Sequence, residues 1–257
     1  MPTGHKAPLV HSPVSNQAPY QYRAGTGMVP SAEWSVFFDD FYDFVVATAI
    51  TNGPVANTPW GWQGAIIDTG ATVAVNTTAA IGTTGVLTFA DATASEGAAI
   101  YGTKAIQLTA GKRFWIESRV YTDDVTDNII YLGVSSLTAT TNPEDLWGTA
   151  SDTFAAVGIA DGSALLTLVA DKSNAGPTTN TSTTHSMTAS AWNTIALGYD
   201  GVNMRAFING QMAVGPFSVT SKIPTGVAVA PFIGHINGNG AGGNVVAVDY
   251  VRWVSER

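Results

Sequence analysis

The sequence predicts an all-β protein, an antiparallel β-sandwich with an extended N-terminal arm. Three observations lead there. Charged residues make up 12% of the 257-residue chain against 45% hydrophobic ones. That is about half the charge share of an ordinary globular protein, too little for the Lys/Glu-rich solvent faces of a helical bundle. Runs rich in β-branched and aromatic residues recur along the chain with turn residues between them, as in a sandwich. Pro2, Pro8, Pro13, Pro19 and Pro30 crowd one end, where a fixed φ and a missing N–H forbid a helix and favour extended chain.

Residues 1–33 therefore read as an arm and 34–257 as the sandwich. The arm holds His5 and His11, and Lys6 and Arg23 are its only charged side chains before Glu33. It offers Leu9, Val10, Tyr20, Tyr22 and Arg23 as anchors on a neighbouring subunit; a disordered tail is the plainer reading of a Pro-rich terminus. The next segment, AEWSVFFDDFYDFVVATAI, puts Trp34, Phe37, Phe38, Phe41 and Phe44 at helical spacing behind a capping Ser31. Its aromatic and β-branched enrichment over a short run argues instead for a strand.

From Trp60 onward the pattern is β throughout, with strands predicted over 86–90, 112–122, 128–136, 154–160, 164–171, 192–200, 204–210, 227–236 and 244–255. In the second of these, Phe114, Ile116, Ser118 and Val120 alternate with Trp115, Glu117, Arg119 and Tyr121, so the two sets point to opposite faces. Asp161-Gly162, Asp200-Gly201 and Asn209-Gly210 stand where the chain must reverse. The Thr-rich tract 177–190 reads as low complexity.

Eleven basic against 19 acidic side chains give a net charge of −8, a sign that repels phosphate and argues against nucleic-acid binding. The absence of cysteine removes disulfides, thiolate nucleophiles and cysteine zinc sites together. No stretch reads as a signal peptide and no apolar run approaches the length of a membrane span, so a soluble protein with no membrane partner is expected.

The run AWNTIALGYDGVNMRAFINGQ, residues 191–211, resembles the hairpin of concanavalin A-like jelly-roll domains, the superfamily of legume lectins, LamG modules and laminarinase-type glucanases. A Trp leads an alternating strand, an Asp-Gly turn follows, and the return strand ends in Asn-Gly. The hairpin FAAVGIADGSALLTLVADKSN and the terminal VVAVDYVRW fit the same layout. The segment PWGWQGAIIDTGATVAV, with GVLTFADATASEGAAIYG after it, is similar to the early part of lectin-like domains of phage structural proteins. The resemblance covers residues 34–256 and implies that first and last strands pair, FFDDFYDF with AVDYVRW, which decides the choice at residue 34 for a strand. It also implies a structural protein of a tailed-phage virion; with the Pro-rich arm and the missing catalytic carboxylates described below, a non-enzymatic capsid decoration (cement) protein on the head surface is the leading expectation. Its partners would be capsid or other virion proteins and copies of itself, a trimer preferred, with no cofactor. A carbohydrate- or receptor-binding domain of a phage fibre or tail is the alternative, and a glycoside hydrolase the disfavoured third.

Glucanases of this superfamily carry a Glu-x-Asp-x-x-Glu strand that sets two carboxylates about 5 Å apart for a retaining reaction. No such triplet occurs here. Its nearest analogue, FWIESRVYT, has Arg119 two residues after Glu117; an ion pair between them is the simplest expectation, and a lone carboxylate beside a cation makes a poor acid. Lectins of the superfamily hold calcium and a transition metal. The cluster TDDVTDN, with Asp123, Asp124 and Asp127, is the weak candidate for a metal, but Asp and Asn between two strands are expected from turn chemistry and the spacing lacks the alternation of a dedicated calcium loop. His185 and His235 have no companion at ligand spacing and read as ordinary surface or strand histidines. Ser135, Ser136 and Ser221 lack a G-x-S-x-G setting, and HINGNGAGGN lacks the Lys-Ser/Thr of a phosphate loop. Trp60 and Trp147 are candidates for stacking on sugar faces, whereas Trp62 is expected in the core.

Overall fold

The structure, a computed structural model, describes residues 21–23, 27–29, 34–41, 53–54, 62–67, 71–75, 85–91, 93–102, 106–136, 153–172, 176–218, 220–238 and 244–256. All regular elements among them are strands. In chain order these are β1 (Gln21–Arg23), β2 (Gly27–Val29), β3 (Trp34–Asp39), β4 (Gly53–Pro54), β5 (Trp62–Ile67), β6 (Thr72–Val75), β7 (Leu87–Ala90), β8 (Gly97–Gly102), β9 (Ile106–Gln107), β10 (Phe114–Thr122), β11 (Asn128–Ser135), β12 (Phe154–Ile159), β13 (Leu165–Asp171), β14 (Thr178–Ser186), β15 (Ala191–Tyr199), β16 (Met204–Ile208), β17 (Gln211–Phe217), β18 (Ala228–Asn237) and β19 (Val245–Glu256).

Seventeen of them, β3 to β19, form two antiparallel sheets. The first has eight strands in the order β17-β16-β15-β10-β19-β7-β6, with β3 also on β19; the second has nine, β14-β13-β12-β11-β18-β8-β5-β4, with β9 also on β18. The long β19 lies along β10 on one side and is shared on the other, by β7 at Val245–Val248 and by β3 at Val251–Glu256. The expected pairing of first and last sandwich strands is present, and the segment from Trp34 is a strand.

One register slip, where Arg119 faces Tyr250 and Val120 faces Val248, gives β19 an extra residue, Asp249. Such a bulge restores the inward set on both sides of it, so Val246 and Val248 before it and Val251 and Trp253 after it are all in the core. The alternation expected in β10 holds: Phe114, Ile116 and Val120 join the core between the sheets, with Leu87 and Phe89 of β7, Ile130, Leu132 and Val134 of β11 and Ile195 and Leu197 of β15. Trp62 is core as expected. Its ring meets Phe37 edge-on at 6.0 Å, Phe37 stacks on Trp253 at 5.6 Å, and its indole N–H donates to Asp39 Oδ2 at 2.8 Å. Trp62 belongs to one sheet and Asp39 to the other, so this contact ties the two together.

The hairpin turns fall where the sequence placed them. Asn209 and Gly210 both have positive φ, 49° and 80°, the pair of left-handed residues a two-residue hairpin needs. At the Asp200-Gly201 turn Asp200 Oδ1 accepts the Val202 and Asn203 N–H groups and Gly201 sits at φ 99°, and in the Asp161-Gly162 turn Gly162 sits at φ 73°. The arm departs from a purely extended chain: β1 and β2 pair as a two-stranded antiparallel ribbon, Gln21 opposite Val29.

Candidate functional site

The outward face of the eight-stranded sheet carries the site. Register alone lines up one row across six strands: Phe38, Arg252, Glu117, Ala196, Phe207 and Met212 face one another pair by pair. Trp115 lies on one side of this row on β10, and Arg119, Tyr121, Trp192 and Tyr250 on the other. The ends are open, Phe38 being 43% and Met212 52% exposed, while Glu117 at 4% and Arg252 at 6% are buried in the middle. Trp115 and Phe207 pack at 4.9 Å, Phe38 and Tyr250 at 5.6 Å, and Tyr121 and Trp192 at 5.8 Å. An aromatic floor thus surrounds a charged centre.

At that centre every Glu117 contact is a donor. Oε1 takes the Tyr250 hydroxyl at 2.8 Å and faces the Arg252 guanidinium at 2.5 Å, and Oε2 takes the Trp115 indole N–H at 3.0 Å. Burial first, and then the adjacent Glu117 carboxylate, push the Tyr250 hydroxyl's pKa far up, so it stays a donor to that carboxylate. The expected Glu117–Arg119 ion pair is not what forms. The two share a face, but Arg119 reaches Asp249 at 2.9 Å and lies over the Trp192 ring at 4.7 Å, an exposed cation on an aromatic face. The cation of Glu117 is Arg252, its cross-strand neighbour. Its signal was in VVAVDYVRWVS, where Tyr250 and Arg252 alternate with the inward Val251 and Trp253, but only the pairing of β19 with β10 tells which residue they meet.

Chemically, this centre holds a fixed carboxylate, and none of the described residues paired with Glu117 across the ladder is a second one. The position two residues on, where the glucanase strand has Asp, is an arginine, and the cross-strand neighbours are Arg252 and Ala196. A retaining glycosidase needs two carboxyl groups about 5–5.5 Å apart and an inverting one about 6.5–9.5 Å. Among the described residues no group of three or more His, Asp or Glu side chains is placed to hold a metal ion.

The other expected site residues are scattered. Asp124 Oδ1 accepts the N–H groups of Thr126 at 2.6 Å and Asp127 at 3.0 Å and the Thr126 hydroxyl, and these bonds, that of the Thr126 N–H first, hold its carboxyl below the usual range. Asp123 Oδ1 caps the Val245 N–H at 3.0 Å, and the Asp127 carbonyl accepts the Gly238 N–H. Asp124 closes the β10–β11 turn, and Asp123 and Asp127 tie that turn to β19 and to the residue after β18. His185 is half-buried on β14, bonded through Nδ1 to the Thr184 hydroxyl. His235 is a strand histidine but not a surface one, being 1% exposed. Tyr22 and Arg23 lie in β1. Leu9, Val10, Tyr20, Trp60 and Trp147, with residues 239–243 of the glycine-rich stretch and the arm histidines, lie outside the described residues.

No family model matches the sequence, and no curated protein does. Solved structures do. The sandwich has the concanavalin A-like lectin/glucanase fold. Arcelin-5, a lectin-like defense protein from Phaseolus vulgaris, superposes with a TM-score of 0.58 at 11% identity, covering 87% of this chain and 99% of that one. Peanut lectin gives 0.57 at 10%, covering 87% and 98%. An endo-acting O-glycanase from the human gut microbiota gives 0.54 at 11%, covering 85% and 98%. One fold thus serves a lectin and a glycanase, so it leaves the activity open and the side chains must decide.

Proposed function

We propose that the chain is a non-enzymatic binding and structural protein of a virion surface, a decoration (cement) protein that docks on neighbouring capsid subunits through its N-terminal arm and the face of its sandwich. The observation that carries the non-enzymatic part is Glu117, whose two oxygens are both occupied by donors and whose cross-strand neighbours are Arg252 and Ala196, neither of them a carboxylate. The virion setting draws on the Pro-rich arm, which can staple neighbours without chemistry, and on the resemblance of residues 34–256 to lectin-like phage domains. Deleting residues 1–30 is expected to weaken attachment to assembled particles or to slow subunit exchange while the body stays folded; unchanged attachment would count against docking by the arm.

A second reading is favoured by the aromatic rows of this face, where Phe38 is exposed and Tyr250, Tyr121 and Trp192 are half-buried. Phe38 faces Arg252 across the ladder and Tyr250 bonds Glu117, while Trp192 packs on Tyr121 and under Arg119, and flat rings beside fixed polar groups suit the apolar faces of sugars. The fold neighbours include a lectin. On this reading the same face binds carbohydrate on a host or particle surface, and broad glycan-array binding is its signature.

A further inference from the structure

Between the sheets, at the end where β7, β10, β11, β18 and β19 converge, lies a buried polar network separate from the outer face. Asp91 follows β7; His235 and Asn237 close β18; Asn128 opens β11 and Thr122 ends β10. Its proton positions follow from its hydrogen bonds. Asn128 donates through Nδ2 to the Asp124 carbonyl at 2.9 Å and to Thr122 Oγ1 at 2.7 Å, so its Oδ1 is the atom 2.6 Å from His235 Nε2 and that nitrogen must carry hydrogen. Asn237 donates through Nδ2 to the Thr93 carbonyl at 3.2 Å and to Asp91 Oδ1 at 2.8 Å. What remains is Asp91 Oδ2, which has no hydrogen-bond donor, facing His235 Nδ1 at 3.4 Å with both side chains excluded from water. A bare carboxylate opposite a nitrogen lone pair would be repelled, so one proton belongs between these atoms.

We propose that Asp91 and His235 form a proton-compensated clasp joining the two sheets: closing it hands one proton from the imidazole to the carboxyl, so that closure neither takes up nor releases a proton. In the open chain at mildly acid pH the imidazole is the base that holds the proton. In the closed clasp burial raises the Asp91 carboxyl to about 6, opposed by the Asn237 bond and assisted by the carboxylates of Glu96 and Asp123. Burial alone drives His235 down to about 3. The charged groups that act on Asp91 are both acids, so the proton is its compensation. The Asp91 contribution to stability is full below 3.8 and is lost as pH rises through about 6; that of His235 is lost below about 3 and is full above 6.5. Between about 4 and 6 the two slopes oppose each other. The clasp also anchors the β7–β8 turn, in which Ser95 donates its N–H to the Asn237 carbonyl at 2.8 Å and Asn237 donates its own to that of Glu96 at 2.8 Å.

Single substitutions separate the two halves. In Asp91→Asn the new amide can accept from Asn237 and donate to His235 Nδ1, the pattern of the protonated acid. Urea unfolding of the full chain at pH 4.5, 5.25 and 6 should show the folding constant of Asp91→Asn rising relative to wild type by up to about tenfold per pH unit, and that of His235→Gln falling by as much. The double variant should run parallel to wild type. Nitrogen-15 shifts of wild type at pH 5 should show a neutral His235 with hydrogen on Nε2, a reading that stands even if His235→Gln does not fold. An imidazolium signal at pH 5, or an Asp91→Asn profile parallel to wild type, would overturn the clasp.

Discussion

Arg252→Ala is expected to destabilise the sandwich by about 3–5 kcal/mol, the usual cost of removing one partner of a buried ion pair. Arg252 is 6% and Glu117 4% exposed, so water cannot replace the lost guanidinium. The Tyr250 hydroxyl and the Trp115 indole remain as neutral donors to the carboxylate, which places the loss toward the lower part of that range. Replacing the pair together, as Glu117→Leu with Arg252→Met, should recover most of it, because a buried pair exchanged for apolar side chains of similar volume is often neutral. Urea unfolding of the two singles and the double gives the coupling energy. A single-variant loss below about 1 kcal/mol would mean that the pair is hydrated and the centre of the face open.

Trp62→Ala should cost about 3–5 kcal/mol, the range for deleting a large aromatic from a core. The ring is 1% exposed and packs on Phe37 and Phe41 at 6.0 Å each, while its indole N–H donates to Asp39. Trp62→Phe keeps much of the packing and loses that bond, so it should fall between wild type and alanine. Equal losses for the two would place the whole effect in the hydrogen bond and contradict a packing role.

Much of this was legible in the chain because inward residues of the long strands had to alternate. The set Phe114, Ile116 and Val120 against Trp115, Glu117, Arg119 and Tyr121 could be read from β10 alone. The helical spacing of Trp34 to Phe44 was resolved only by its partner at the far end, since β3 is held by β19. The Thr-rich tract reads as low complexity, yet it forms β14. It is the edge strand of its sheet and mostly exposed, so it has no apolar alternation to show, and only β-branching marked it. β8 was also missed, because a glycine- and alanine-rich strand looks like a loop. Those residues are small for a reason: a Cβ on Gly97 would lie 2.4 Å from the His235 carbonyl oxygen.

The sites were less legible than the strands, since each depends on residues far apart in sequence. Glu117 stands out in its strand, but spacing alone points to Arg119 on the same strand, whereas the bonded cation, Arg252, stands across the ladder. His235 gives no local signal, because Asn128 reaches it only when β11 pairs with β18 and Asp91 only when the two sheets pack together.

The claim that this face binds and does not cleave is tested most directly by incubating the intact protein with soluble β-glucans and measuring the reducing ends released over time. Glu117, fixed between Arg252, Tyr250 and Trp115, is expected to support no release above the buffer control. Product that accumulates with protein concentration and disappears in Glu117→Gln would contradict the account.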